Sequence, residues 1–235
     1  MTDEAERPPE KRLHGRRKGR PLSPRRTGVV ARMRTEIGLD PTTPSPGDAA
    51  ALFPVPVGDV RLEIGCGAGE HLVHEAKGAP GTGFIGVEPF EQGFARMAAA
   101  IDEAGLRNVR IFSDDATLIL DWLPDASLAR VDLLYPDPWP KRRHWKRRFI
   151  SDANLDHIAR ALRPGGELRV ASDIPAYIDW TLLTVLPRRE FDWTARRADD
   201  WRRPWEGWPG TRYEAKAIRA GRVPAYLTFE RTKAG

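Results

Sequence analysis

Val60-Arg61-Leu62-Glu63-Ile64-Gly65-Cys66-Gly67-Ala68-Gly69-Glu70-His71 is the stretch that decides the fold. VRLEI is a short apolar strand, and three glycines in five residues then turn the chain before a helical run over 70–78. The same unit recurs downstream. Gly83 to Val87 is a second strand ended by Glu88. Residues 90–104 form a helix with Phe90, Phe94, Met97 and Ile101 close to a 3.6 period. Val109 to Phe112 is a third strand and 116–122 a short helix. The run VDLLY, within Arg130 to Tyr135, is a fourth strand. Residues 149–162 are helical, Pro164-Gly165-Gly166 breaks them, and Glu167 to Ala171 is the fifth strand. A helix from Pro175 to Leu186 follows, then strands at Phe191 to Ala195 and Ala225 to Phe229. A long loop, 196–222, separates those two. Repeated β–α units on short connections predict an α/β fold: a mostly parallel seven-stranded sheet, helices on both faces and an antiparallel strand at the C-terminal end.

In such sheets, ligands bind beyond the C-terminal ends of the strands. Gly65, Gly67 and Gly69 stand at the first of those ends, where a backbone without Cβ atoms lets a ligand approach closely. Glu88 ends the next strand, 25 residues after Glu63, where a carboxylate can accept both hydroxyls of a ribose. Asp115, followed by Ala116, ends the third. A glycine triplet alone also suits a nicotinamide or flavin cofactor, or a tight turn with no ligand. Two details favour S-adenosyl-L-methionine (SAM). The spacing is GxGxG rather than GxGxxG. Glu63 and Glu70 would also repel a pyrophosphate, but they suit a sulfonium cation.

Strand four runs into Tyr135-Pro136-Asp137-Pro138-Trp139-Pro140, where flanking prolines stiffen the loop that carries Asp137. Lys141, Arg142, Arg143, His144, Trp145, Lys146, Arg147 and Arg148 follow, and six of these eight are Lys or Arg. Cations interleaved with rings at a strand end suit phosphate contact and base stacking; the bland alternative is a solvated helix start. Asp173 ends strand five. Trp201, Trp205 and Trp208 lie among arginines in the late loop, some packing on the last strands and at least one expected to be exposed.

Lys plus Arg outnumber Asp plus Glu by 38 to 33 in 235 residues, and the excess is unevenly placed. Residues 11–34 hold ten Lys or Arg and no acid. We read 1–58 as a basic, proline-rich arm, disordered or loosely held over 1–28 and an irregular wrap or linker over 39–58, and 59–235 as the catalytic domain. The lone Cys66 excludes an internal disulfide or a multi-cysteine metal site. Chain composition gives no membrane span and no secretory signal, so a cytoplasmic location is expected. His71 and His74 stand at i and i+3, and we read them as ordinary surface or core histidines. No metal is expected.

With those residues set out, the chain resembles the bacterial tRNA (guanine-N7)-methyltransferase family, with a Rossmann-like class I methyltransferase fold. The resemblance runs from about residue 60 to 230 and is carried by LEIGCGAGEH, by YPDPWPKRRHWKRR, by VASD ending in Asp173, and by GTRYEAKAIRAGR. It implies that Glu63, Glu88, Asp115 and Asp137 bind SAM, with Asp137 catalytic. It implies that Lys141, Asp173, Thr211 and Glu214 hold the target guanosine, and that Arg142 to Arg148 contact RNA. The implied partner is tRNA, methylated at the guanine in position 46 of the variable loop. Cys66 and Ala215-Lys216-Ala217 depart from the family pattern without removing an implied ligand. Monomer and homodimer are both open. Two other readings stand beside this one: a methyltransferase acting on another base, and a non-catalytic RNA-binding protein on a degenerate methyltransferase fold. The intact set of Glu63, three glycines, Glu88 and Asp137 argues against the second.

Overall fold

The computed structural model describes residues 14, 15 and 17–233. Much of the arm expected over 1–28 therefore lies outside the described residues. Seven strands form one sheet: β1 (Asp59–Ile64), β2 (Thr82–Val87), β3 (Val109–Phe112), β4 (Leu128–Leu134), β5 (Leu162–Ser172), β6 (Phe191–Trp193) and β7 (Ala225–Arg231). Their order is β3-β2-β1-β4-β5-β7-β6. Pairing is parallel from β3 through to β5, and β7 runs antiparallel to both β5 and β6. The chain winds outward from β1 to β3, then returns to lay β4 against the other side of β1. The crevice beyond β1 and β4 is therefore the switch point where such sheets bind ligands.

The sheet separates two apolar layers. On one side pack α4 (Ala116–Trp122), α5 (Asp152–Ala161) and α6 (Pro175–Val185), with Ile119, Leu155, Ile158, Tyr177 and Val185 against Val60, Leu62 and Ile64. On the other lie α2 (Glu70–Gly78) and α3 (Glu91–Glu103), whose Leu72, Phe94, Met97 and Ile101 meet Phe84 and Ile111. The alternation in VRLEI explains the split. Val60, Leu62 and Ile64 face the first layer, while Arg61 and Glu63 turn toward α2 and bond to Glu75 and His71.

Four features differ from the sequence reading. Pro24–Ile37 forms a helix, α1, capped by Ser23 and opened by Pro24. Its Val30 and Met33 join the α3 layer, and Leu39 N–H then donates to Ile111 O at 2.9 Å, covering the edge of β3. Within 39–58, Phe53 is buried against Gly83, where a Cβ would come within 2.5 Å of the ring, so this wrap belongs to the core. Strand β5 begins at Leu162 rather than Glu167, because a register shift between Leu128 and Arg130 lets the strand carry Pro164-Gly165-Gly166. Helix α5 accordingly runs only from Asp152 to Ala161, with Ser151 as its cap. The 196–222 loop contains α7 (Asp199–Arg202) and α8 (Arg212–Arg219), the latter begun by a complete capping box between Thr211 and Glu214.

Candidate active site

A cavity of about 970 Å³ opens over the C-terminal ends of β3, β2, β1 and β4. Its lining includes Asp115, Glu88, Gly65, Gly67, Tyr135 and Asp137, which come from those strand ends in that spatial order. A second depression near Arg188 and Arg231 lies at the opposite ends of the strands and has no glycine loop.

The loop after β1 turns through three left-handed glycines, Gly65, Gly67 and Gly69, with φ of +76°, +59° and +78°. At Gly69, which opens α2, a Cβ would come within 2.8 Å of Met97. The fate of the loop amides identifies the kind of cofactor. Gly65 and Cys66 N–H both donate to Val87 O, at 2.8 and 3.1 Å, and Gly69 N–H donates to Cys66 O at 2.9 Å. Gly67 N–H donates to Glu88 Oε2 at 2.5 Å, and Phe90 N–H to Glu88 Oε1 at 2.8 Å. A pyrophosphate site needs free N–H groups at a helix start. Here the glycine amides are engaged, the first turn of α2 carries Glu70, and the lining adds Glu88, Asp115 and Asp137. Burial raises the Glu88 pKa, against the two N–H bonds and Arg212. Each Glu88 oxygen still has a lone pair for a ribose hydroxyl. The engaged loop amides and the Glu88 and Asp115 carboxylates therefore fit a nucleoside cofactor that puts no phosphate on the loop, as SAM does.

Asp115 caps α4, its Oδ1 accepting from Thr117 N and Oγ1, each at 3.0 Å. Asp137 stands between Tyr135 and Trp139, whose φ angles of +50° and +42° place non-glycine residues in the left-handed region. Strain of this kind persists only where surrounding structure enforces it. Part of that enforcement comes from Arg148. It is only 3% exposed, lies against the Trp145, Tyr177 and Trp180 rings, and donates to Pro138 O at 2.9 Å and Ala176 O at 3.2 Å. Residues before α1 also reach the cavity. His14 and Gly15 line it, Arg17 O accepts from Glu91 N–H at 2.9 Å, and Arg17 pairs with Asp114 at 2.6 Å.

Glu63 is absent from the cavity lining. It is buried, and its Oε2 lies 2.7 Å from His71 Nδ1. His71 also packs against Trp208, with ring centroids 4.9 Å apart. Burial opposes a charged imidazole, but the charge and hydrogen bond of Glu63, helped by Asp132 and Glu75, outweigh it and raise the His71 pKa. Burial raises that of Glu63.

A second cluster gathers at the ends of β4 and β5 and the start of β7. Asp173 accepts from Arg222 Nε at 2.5 Å. Both Glu214 oxygens are engaged: Oε1 accepts from the Tyr226 hydroxyl, and Oε2 accepts from Trp208 Nε1 at 2.7 Å and Thr211 N at 3.2 Å. Thr211 Oγ1 accepts from Glu214 N at 3.1 Å. The Tyr135 hydroxyl is buried beside this cluster, and burial together with Tyr226, Glu214 and Asp173 raises its pKa. None of Trp201, Trp205 and Trp208 is fully exposed, contrary to the sequence expectation; Trp205 Nε1 donates to Thr228 Oγ1 at 2.8 Å.

Lys141 is exposed and leads into a 3-10 turn, Arg142–Arg147, none of whose residues is buried. Arg147 lies over the Trp139 ring at 5.0 Å and His144 meets its edge. Partial desolvation and the cations Arg147, Arg143 and Lys141 lower the His144 pKa. Among the described residues no group of three or more His, Cys, Asp or Glu side chains could hold a metal ion, and no helix is long and apolar enough to cross a membrane.

Comparison with known proteins settles the family. A family model described as "Putative methyltransferase" matches residues 58–226. A tRNA (guanine-N(7)-)-methyltransferase from Chelativorans sp. is 52% identical over 230 residues, 97% of this chain and 99% of that protein. One from Brucella melitensis is 57% identical over 217 residues, 92% of this chain and 93% of that protein. The chain belongs to the tRNA (guanine-N(7)-)-methyltransferase family. The 16S rRNA methyltransferase KamB shares the fold, with a TM-score of 0.56 over 75% of this chain and 89% of that chain, at 16% identity.

In this methyltransferase the structure brings Gly65, Gly67, Glu88, Asp115 and Asp137 around one cavity, while Gly69 sits behind the loop and Glu63 faces α2. Arg148, in the run expected to contact RNA, is buried against three rings and lines the cavity from inside. Tyr213, Arg222 and Tyr226 escaped the sequence reading, as did the cavity position of Arg212 and the pairing with Glu63 of His71, read there as an ordinary histidine. His71 had one local signal, since a helical residue one turn beyond the glycine loop can fold back onto the strand end.

A pH-dependent prediction follows from the Glu63–His71 pair. A raised folded-state pKa means that imidazolium stabilisation is full below the ordinary histidine value of about 6.5 and is lost as pH rises through the folded value. His71→Ala alone would leave Glu63 buried and unpaired, and that carboxyl, its pKa already raised by burial, would add an opposite pH dependence. Urea unfolding of wild type and the neutral E63Q/H71Q variant should show wild type relatively more stable at pH 6 than at pH 9. A pH-independent difference would mean that His71 stays neutral.

Proposed function

We propose that this protein transfers the methyl group of SAM to N7 of a guanine in tRNA, with position 46 of the variable loop as the target and the cytoplasm as the place of action. One observation carries the choice of cofactor site: the amides of Gly65, Cys66, Gly67 and Gly69 are engaged by protein acceptors, and Glu88 and Asp115 stand beside the loop for the hydroxyls and amine of a nucleoside. Glu88 is suited to the ribose and the Asp115-Ala116 turn to the adenine. When bound, SAM supplies an electrophilic methyl group on a sulfonium. Guanine N7 carries an in-plane lone pair in the neutral base, so no general base has to remove a proton before attack.

The protein's task is alignment and charge management. Asp137, on its stiff loop at the end of β4, is placed to orient the reacting groups and to compensate the positive charge that develops on the imidazole half of the base. Asp173 is the carboxylate proposed to accept from guanine N1 and the exocyclic amine, an edge that adenine does not present. Thr211 and Glu214 shape that pocket through the bonds they make to each other, to Trp208 and to Tyr226. Lys141 serves the nucleotide from the rim. Arg142, Arg143, His144, Lys146 and Arg147 offer phosphate contacts and ring faces to RNA, with Arg148 fixing the loop from inside.

Incubation with labelled SAM and a tRNA transcript, followed by nucleoside mapping, should give 7-methylguanosine at one variable-loop position. Label on another base would retain a methyltransferase and discard the guanine pocket. Asp173→Ala should lower kcat/KM for tRNA by tenfold or more, from the loss of about 1.5–3 kcal/mol of charge-assisted bonding, while SAM binding stays within about twofold. Unchanged turnover would remove Asp173 from recognition.

A further inference from the structure

Arg212 is the first residue of α8, between Thr211 and Glu214 of the capping box, yet its side chain points away from them and into the cofactor cavity. Its Nη2 lies 3.1 Å from where a Cβ on Gly67 would stand, so the guanidinium rests on the glycine loop. Its polar contacts there are a long approach to Glu70 Oε1 at 3.9 Å and a hydrogen bond to the Tyr213 hydroxyl at 3.2 Å. The side chain is 38% exposed, and its charge also acts on Glu88, whose pKa it lowers against burial.

The sheet order gives the cofactor a direction. Asp115 at β3, Glu88 at β2 and the glycine loop at β1 succeed one another toward Asp137 at β4. A nucleoside with its base near Asp115 and its ribose on Glu88 places its amino-acid tail over Gly65 to Gly67. The only anionic group of SAM is the carboxylate of that tail. Other cations in the lining are placed differently. Arg96 is on α3 beside Gly93, Lys146 is exposed on the turn Arg142–Arg147, Arg147 lies over Trp139, and Arg148 is fixed to Pro138 O and Ala176 O.

Resting on the SAM reading of this cavity, we propose that Arg212 binds the carboxylate of the cofactor's methionine end and so selects an amino-acid-bearing sulfonium cofactor. Arg212 thereby joins the cofactor to the same helical turn whose Thr211 and Glu214 shape the guanosine pocket. Cofactor arrival replaces the loose approach to Glu70 with a charge-assisted, fork-shaped pair, and this steadies the N-terminus of α8.

The test is calorimetric binding of SAM and of decarboxylated SAM, which keeps the sulfonium and the adenosine but lacks the carboxylate. Arg212→Ala should weaken SAM binding about tenfold or more and change decarboxylated SAM by less than about twofold. Arg212→Lys should recover part of the SAM affinity, a charge without the fork. Thermal unfolding of both variants checks that α8 is intact. Equal losses for the two ligands would overturn the proposal in favour of a structural role. Unchanged SAM binding with weakened tRNA binding would overturn it in favour of a phosphate contact. Wild-type protein that binds neither ligand would instead reject the SAM reading itself.

Discussion

The hydrogen bond from Gly67 N–H to Glu88 underlies much of this site. It ties the end of β1 to the end of β2 and holds the loop in a left-handed turn that only glycine enters readily. With Gly65 and Cys66 bonded to Val87 O, it also occupies loop amides that could otherwise face a ligand. The character of the cavity follows: the loop amides are engaged, and Glu88, Asp115 and Asp137 share the lining with Arg96, Lys146, Arg147, Arg148 and Arg212. The strand order then arranges those carboxylates in a line, and the return of the chain to β4 sets Asp137 at the end of it.

A second set of contacts joins the cofactor side to the substrate side. Glu63 meets His71, His71 packs on Trp208, Trp208 donates to Glu214, and Glu214 accepts from Tyr226. These residues come from β1, α2, the loop before α8, α8 itself and β7. The C-terminal block is therefore joined to α2 by the His71–Trp208 ring contact, with polar bonds on either side of it. Breaking one partner in such a chain leaves the next unsatisfied, which favours a single arrangement of both sites.

The alternating core and the glycine loop were legible because their signals are local: VRLEI, GCGAG and Glu88 each mean something within a few residues. The central strands and helices follow directly from them. Helix α1 was obscured by its arginines, although Ser23-Pro24 is a helix-start signal, because only Val30 and Met33 reach the core. Thr211 and Glu214 were read as ligands by resemblance, while their spacing is equally that of the capping box they form. The role of Arg148 was hidden for a different reason. A run of cations does not reveal which one turns inward, and the Tyr177 and Trp180 rings that receive it come from α6. The same holds for Arg212, since nothing in its neighbourhood in sequence announces Gly67 as its floor.

The most direct measurement of the central claim replaces a single atom. A tRNA carrying 7-deazaguanosine at the variable-loop target keeps the base's pairing edge and the RNA backbone but has carbon in place of N7. The account predicts that this tRNA binds as tightly as the natural one and accepts no methyl group from SAM. Methylation of the deaza nucleotide at a normal rate would contradict attack by N7 and require a different acceptor atom.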